Sequence, residues 1–281
     1  MQKRGKARKG QIALWVIVAL IIIAAGVAAY LLFPDFFRVG FSKQKAQEIM
    51  FEQSENLRDS VAYCISEAVK YCLNEIGKRG GYYYVSDLWY VDFAGPKYVV
   101  VYRDEQGNYI NKLPSLDRIL GESLNNCMNE EGWARVDDCV NLDSFKKFFN
   151  VEELKDRIIT VTAGRCNVYI NISWPMKLSK TTLAGKVEQK IEQKDVTLPL
   201  CLKEVWEVAN DIVNMEVNDK DWANNADEYI RQHSETLKRI DIQVQHYPTY
   251  KQVIFMLKSI PYRIKEEPYP FYFVIVRESP A

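Results

Sequence analysis

The sequence predicts an α+β protein: an N-terminal transmembrane helix, then an amphipathic helix and a disulfide-stapled outer domain of antiparallel strands and helices. Three observations predict it. The run IALWVIVALIIIAAGVAAYLLF, residues 12–33, holds 22 residues and no charge. Beyond it, helical and strand-like periodicities are interspersed without the βαβ rhythm of a parallel sheet. All six cysteines also lie beyond the run, as expected of an oxidising compartment.

The 281 residues carry 37 basic and 37 acidic side chains, a balance that hides an asymmetry. Lys3, Arg4, Lys6, Arg8 and Lys9 put five positive charges into the first ten residues. The rest holds 37 − 5 = 32 basic against 37 acidic groups, a net of −5. A mildly acidic body suits a phosphate backbone poorly, so no nucleic-acid partner is expected. At 48% hydrophobic, the chain has ample material for a packed core, which excludes intrinsic disorder.

As a helix the apolar run covers about 33 Å, enough for a hydrocarbon core of about 30 Å. Residues 1–11 form a basic leader, and basic flanks stay cytoplasmic. Residues 12–33 are therefore expected in the cell membrane's bilayer and residues 34–281 outside the cell. Val27-Ala28-Ala29 would suit a signal peptidase, but Leu31, Leu32 and Phe33 continue the apolar run, which favours a retained anchor.

Residues 34–41, which contain PDFFRVG, read as a short joint. The following domain spans 42–281, with a possible subdivision near residue 155. Leu57, Val61, Cys64, Ile65, Ala68, Val69, Cys72 and Ile76 recur every three or four positions, predicting an amphipathic helix over 42–77 that Ser42 caps and Gly77 stops. Gly80-Gly81 breaks the chain. KYVVVYRDEQGNYI reads as a hairpin turning at Asp104–Asn108. Pro114-Ser115 opens a second helix, about 115–128, followed by a short acidic loop and a helical piece over 141–149.

IITVT and CNVYINISW form a second hairpin around Ala163-Gly164-Arg165, and 184–197 reads as one polar strand. Leu202, Val205, Trp206, Ala209, Ile212 and Val213 share a face, hence a helix over 200–215. RIDIQVQHY, QVIFML and FYFVIV supply three closing strands.

The junction Arg8-Lys9-Gly10-Gln11, followed at once by apolar residues, resembles the class III (type IV pilin-like) signal of archaeal surface proteins. The resemblance implies processing after Gly10, with Gln11 beginning the mature chain. Trp15 stands fifth in that chain, where filament-forming pilins usually carry Glu, so filament assembly does not follow. A wider pattern runs through V-x-Y-C…A…L-x-x-I-G-x-x-G-G-Y (61–82), LPSLDRIL (113–120), CVNLDSF (139–145) and VYINISWPMKLSK (168–180). It resembles a family of membrane-anchored archaeal surface proteins. That implies location and architecture and brings no catalytic residue.

The cysteines are Cys64, Cys72, Cys127, Cys139, Cys166 and Cys201. No CxxC occurs, and neither His233 nor His246 is near a Cys in sequence, so no metal site is expected. Cys64 and Cys72 lie about 12 Å apart on one helix and cannot bond to each other. If helix 115–128 packs antiparallel on the first helix, Cys72 pairs with Cys127 and Cys64 with Cys139, leaving Cys166 for Cys201. Six buried free thiols are the alternative.

Few other residues point to chemistry. Asn171-Ile172-Ser173 is an N-x-[ST] sequon in a strand, a candidate glycosylation site. The acidic loop 218–225 lacks the Gly and Glu of an EF-hand, and Asp221 reads better as a helix cap for 222–232. G-x-S-x-G, HExxH, P-loop and G-x-G-x-x-G patterns are all missing, so no catalytic residue and no cofactor is expected. Tyr82, Tyr83, Tyr84, Trp89 and Tyr90 form an aromatic stretch that suits either a half-buried sheet or a binding surface. The expectation is a surface protein with a structural or partner-binding role, pilus-like or part of the envelope, its partner a protein or surface glycan. An anchored glycan or peptide hydrolase and a small-ligand receptor are the alternatives.

Overall fold

The computed structural model describes residues 34–85, 88–92, 95–182, 185–218, 226–233, 239–247, 252–260 and 268–276. The apolar run 12–33, Gly10, Gln11 and nearly all of the acidic loop 218–225, Asp221 included, lie outside the described residues. Among the described residues no helix is long and apolar enough to cross a membrane.

The first described element is a 45-residue helix, α1 (Pro34–Lys78). Residues 34–41 are thus its first turns rather than a joint: the opening proline suits the first helical position, and Gly40 costs only about 1 kcal/mol against the long helix that continues beyond it. Gly77 lies inside the helix. The chain turns at Gly80 (φ 75°) and Gly81 (φ 95°), whose amides bond back to the carbonyls of Gly77 and Ile76. The stripe read from the sequence is buried from Leu57 to Ile76. Upstream, Lys43, Gln44, Lys45, Gln47, Glu48 and Ile49 are exposed, so α1 overhangs the packed body at its N-terminal end.

Three sheets pack around α1. The largest has six strands: β1 (Tyr90–Asp92), β2 (Pro96–Arg103), β3 (Tyr109–Asn111), β10 (Ile240–Tyr247), β11 (Gln252–Ser259) and β12 (Pro270–Val276). Its order is β1-β2-β12-β11-β10, with β3 also pairing to β2. Only the β12–β2 contact is parallel among its described pairings. The second sheet is β4 (Asn150–Glu153), β7 (Met176–Thr182) and β8 (Gly185–Ile191), in the order β4-β7-β8. The third is β5 (Ile158–Ala163), β6 (Val168–Ser173) and β9 (Val196–Leu198), in the order β5-β6-β9. The stretch 184–197 therefore holds two strands in two different sheets, not one twisted strand.

Residues 116–140 form one helical run with two wide turns in it. They comprise α2 (Leu116–Arg118), a π-turn (Ile119–Ser123), α3 (Leu124–Cys127), a second π-turn (Met128–Gly132) and α4 (Trp133–Val140). The segment expected as an acidic loop is helical. It buries Gly132, Val136 and Val140 against α1, four residues apart and continuing from Met128 at the end of the expected helix. Then come α5 (Leu142–Lys146), α6 (Leu202–Asn218) and α7 (Ala226–Gln232). One apolar cluster runs from Met50 on α1 to Ile275 on β12 and takes in all three sheets.

Three disulfides staple this arrangement: Cys64–Cys139, Cys72–Cys127 and Cys166–Cys201. The first two clamp α1 to the 116–140 run at both ends of their contact. The third joins the β5–β6 turn to the residue before α6.

Candidate functional site

The aromatic stretch splits at a single peptide bond. Tyr82 and Tyr83 are buried, so these two are corrected from binding surface to core. The tight turn at Gly80-Gly81 drives them inward: Gly81 packs so closely that a Cβ there would lie 2.5 Å from Pro114 Cγ. The Tyr82 hydroxyl donates to the Lys112 carbonyl, and its ring meets Tyr98 edge-on at 5.6 Å. Tyr84 (69% exposed), Trp89 (42%) and Tyr90 (62%) remain on the surface. Tyr90 leans edge-on against Tyr98, and Trp89 tilts over Tyr102 at 6.4 Å.

Tyr83 belongs to a clamp between α1 and the second π-turn. Glu131 accepts from the Tyr71 hydroxyl at 2.6 Å and from the Tyr83 hydroxyl at 2.9 Å. Arg135 lies over the Tyr71 ring and Arg79 over the Tyr83 ring. The bonds from Tyr71 and then Tyr83 hold the Glu131 carboxyl below its ordinary value of 4.5, while burial and then Glu131 push the Tyr83 phenol up. A depressed folded-state value means stabilisation that is complete above pH 4.5 and lost as pH falls through the folded value. In urea titrations at a series of pH values, Glu131→Gln is therefore less stable than wild type at neutral pH, and the gap closes in acid. A gap that persists unchanged at low pH would remove the carboxylate from this role.

A recess lies on the other side of the helical run. A groove of about 600 Å³ separates the first π-turn from β5. Leu116, Leu120 and Leu124 line the helical side, and Ile159 and Val161 the strand side. Asp117, Glu122 and Asn125 stand along it, with Glu122 held in the fork of Arg118 at 2.8 and 3.3 Å. Gly121 keeps it open, since a Cβ there would meet nothing within 4 Å. The helical wall is anchored from behind by Trp206, whose indole donates to the Pro114 carbonyl at 2.9 Å.

β5 is an edge strand, and its chemistry is unusual for one. Proteins blunt sheet edges with charge, proline or brevity. Accordingly β4 carries Glu152 and Glu153, β8 carries Lys186, Glu188 and Lys190, and β10 carries Asp241. The edge strands β1, β3 and β9 have three residues each. β5 presents Ile158-Ile159-Thr160-Val161-Thr162-Ala163, with neither charge nor proline. On the side away from β6, where no strand pairs with it among the described residues, alternate residues of such an edge turn backbone N–H and C=O groups outward. An extended segment laid in the groove would complete that ladder and place every second side chain on Leu116 and Leu120.

Asn171 points outward from β6, opposite Thr160, with its amide nitrogen donating to Asp195 at 3.0 Å. It is exposed, as a modified residue must be. Cys166, Cys201 and Glu204 come within 4.8 Å of one another, but both sulfurs are spent on their disulfide and Arg165 and Arg239 flank the carboxylate, a poor fit for a cation. LPSLDRIL supplies Leu116, Asp117 and Leu120 to the helical side of the groove, but nothing in sequence marks β5 as its other side, because an edge is defined by strand order rather than by composition.

Comparison with family models, with curated proteins and with solved structures gives no match.

Proposed function

We propose that this chain is a single-pass, outward-facing surface protein, anchored through residues 12–33, whose head captures an extended segment of a partner along β5. The observation that carries the anchor is α1. The chain is helical from Pro34, directly after 22 uncharged residues, and the helix runs exposed before it meets the head. Three disulfides accord with an oxidising exterior. The uncharged β5 edge supports a role in binding rather than catalysis.

The test is labelling of intact cells with a membrane-impermeant amine reagent, followed by carbonate extraction. Labelling of the head lysines without lysis, on protein that stays in the membrane pellet, supports the reading. Labelling only after lysis overturns it.

A pilus-like role is the second reading, favoured by the exposed Ile49 and Tyr63, which share one face of α1 and suit lateral helix packing. The intact mass of the membrane-fraction protein separates the two. A chain that begins at Gln11, found in filaments, supports assembly, whereas one that keeps residues 1–10 is a stationary anchor.

A further inference from the structure

A second recess, of about 630 Å³, opens beside the outer end of the β7–β8 hairpin. Lys146, Lys147 and Phe148 line it from the end of α5 and the connection to β4, and Lys180, Thr181 and Lys186 from the hairpin, Lys180 on one face and Lys186 on the other. Lys146 pairs with the exposed Asp143, and Lys186 with Glu188. Lys180 lies 5.2 Å from the Phe149 ring centre. Lys147 and Lys180 have no carboxylate within ion-pair distance among the described residues. Four lysines thus gather around the end of the hairpin with two paired carboxylates, on a chain whose remainder after the leader is net acidic. Phe148, 67% exposed, stands among them.

The position of this recess follows from how β8 lies along α1. Gln189 to Glu192 adjoin Ser54, Glu55 and Arg58, and farther on Lys194 reaches Asp59 at 3.9 Å. Strand and helix therefore advance together, and moving back along β8 to Lys186 moves toward the start of α1. At about 3.3 Å per strand residue and about 1.5 Å per helix residue, Lys186 is level with roughly residue 46. That is about 18 Å along the helix axis from Pro34. The lysine recess is on the pole of the head nearest the apolar run.

We infer that this pole rests on an anionic bilayer surface, with Lys146, Lys147, Lys180 and Lys186 on acidic lipid headgroups and Phe148 among them. The inference rests on the anchor reading. A spanning helix tilts by about 20° on average, which lowers one side of an outward head toward the headgroups. Lysines within about a Debye length of a bilayer are drawn to anionic headgroups whichever leaflet carries them, and an exposed aromatic ring favours the same interface. A free acidic glycan is the competing ligand, but the placement at the anchor end and the outward Phe148 favour lipid.

All six cysteines are in disulfides, so Phe148→Cys supplies a single thiol for an environment-sensitive fluorophore. The labelled full chain is placed in nanodiscs of phosphatidylcholine alone or mixed with phosphatidylglycerol. The inference expects a blue-shifted emission and several-fold protection from iodide quenching only in the anionic discs, both lost when Lys147→Glu and Lys180→Glu are added. Equal emission in both discs overturns it. So does a response to soluble dextran sulfate without any dependence on lipid charge, which makes the recess a glycan site. Failure to enter discs counts against the anchor instead. Flotation of the labelled chain with phosphatidylglycerol vesicles then decides the recess: blue-shifted emission on the vesicles that Lys147→Glu and Lys180→Glu abolish upholds lipid binding, and emission that they leave unchanged overturns it.

Discussion

Removing the Cys72–Cys127 disulfide as an alanine pair lowers unfolding free energy by about 3.3 kcal/mol, and removing Cys64–Cys139 costs about the same. The bridges are nested, with sequence separations of 55 and 75, so each constrains an unfolded chain that the other already closes. With one intact, the second closes only the two arms, residues 64–72 and 127–139, about 20 residues together, hence the reduced value. Losing both releases the long loop as well, for about 7.5 kcal/mol. The double loss thus exceeds the sum of the single losses by about 1 kcal/mol. Urea titrations of the two pairwise variants and the fourfold variant, all under non-oxidising handling, read this directly. Strict additivity would mean that the arms do not behave as a flexible ring in the unfolded state. Cys72 and Cys127 are fully buried, so a small cavity cost adds to the first figure without changing the excess.

The same pair shows what could be read without coordinates. Cys64 and Cys72 lie too far apart on one helix to bond, and an antiparallel partner helix ending near Cys127 leaves few other pairings. The expected bridges are the observed ones. The hairpins were equally legible, because β6 alternates buried and exposed residues along VYINIS and Asp104 to Asn108 carries its turn chemistry locally. The second half of the 116–140 run was not. Each π-turn inserts a residue and shifts the phase of the apolar stripe, and the helix beyond buries only one residue in four. To a pattern reader such a segment looks like an acidic loop.

The candidate site failed to show in the sequence for a different reason. IITVT reads as a strand, but whether it is an edge depends on β6 pairing with β9 rather than on anything within the strand. Likewise Tyr83 and Tyr84 are chemically identical neighbours, and one is core while the other is 69% exposed. What separates them is the turn at Gly80-Gly81 and the wall at Pro114, contacts made across about 30 residues of chain. Helix stripes and hairpins are local facts. Edges, grooves and the exposure of one ring among several are not.

Gly77→Ala is the point substitution with the largest expected cost. In an exposed helix interior, Gly to Ala stabilises by about 1 kcal/mol, so propensity alone predicts a gain. At Gly77, however, a Cβ would sit on the Pro270 carbonyl oxygen, 2.8 Å from Tyr269 Oη and 2.9 Å from its Cζ. Two of these atoms belong to a fully buried ring and the first to the backbone of β12, so no flexible side chain can swing aside. Either the end of α1 moves off β12 or β12 moves off β11, and both open the main core. Overpacking of this kind costs about 3 kcal/mol, which outweighs the propensity gain. Gly121→Ala is the control. It too lies within a helical run, in the first π-turn, but its added methyl meets open space, so it should be neutral or stabilise by up to about 1 kcal/mol. Opposite shifts in urea midpoint for the two variants are the expected result. Equal shifts would mean that helix propensity, not the approach of α1 to β12, sets the requirement for glycine at Gly77.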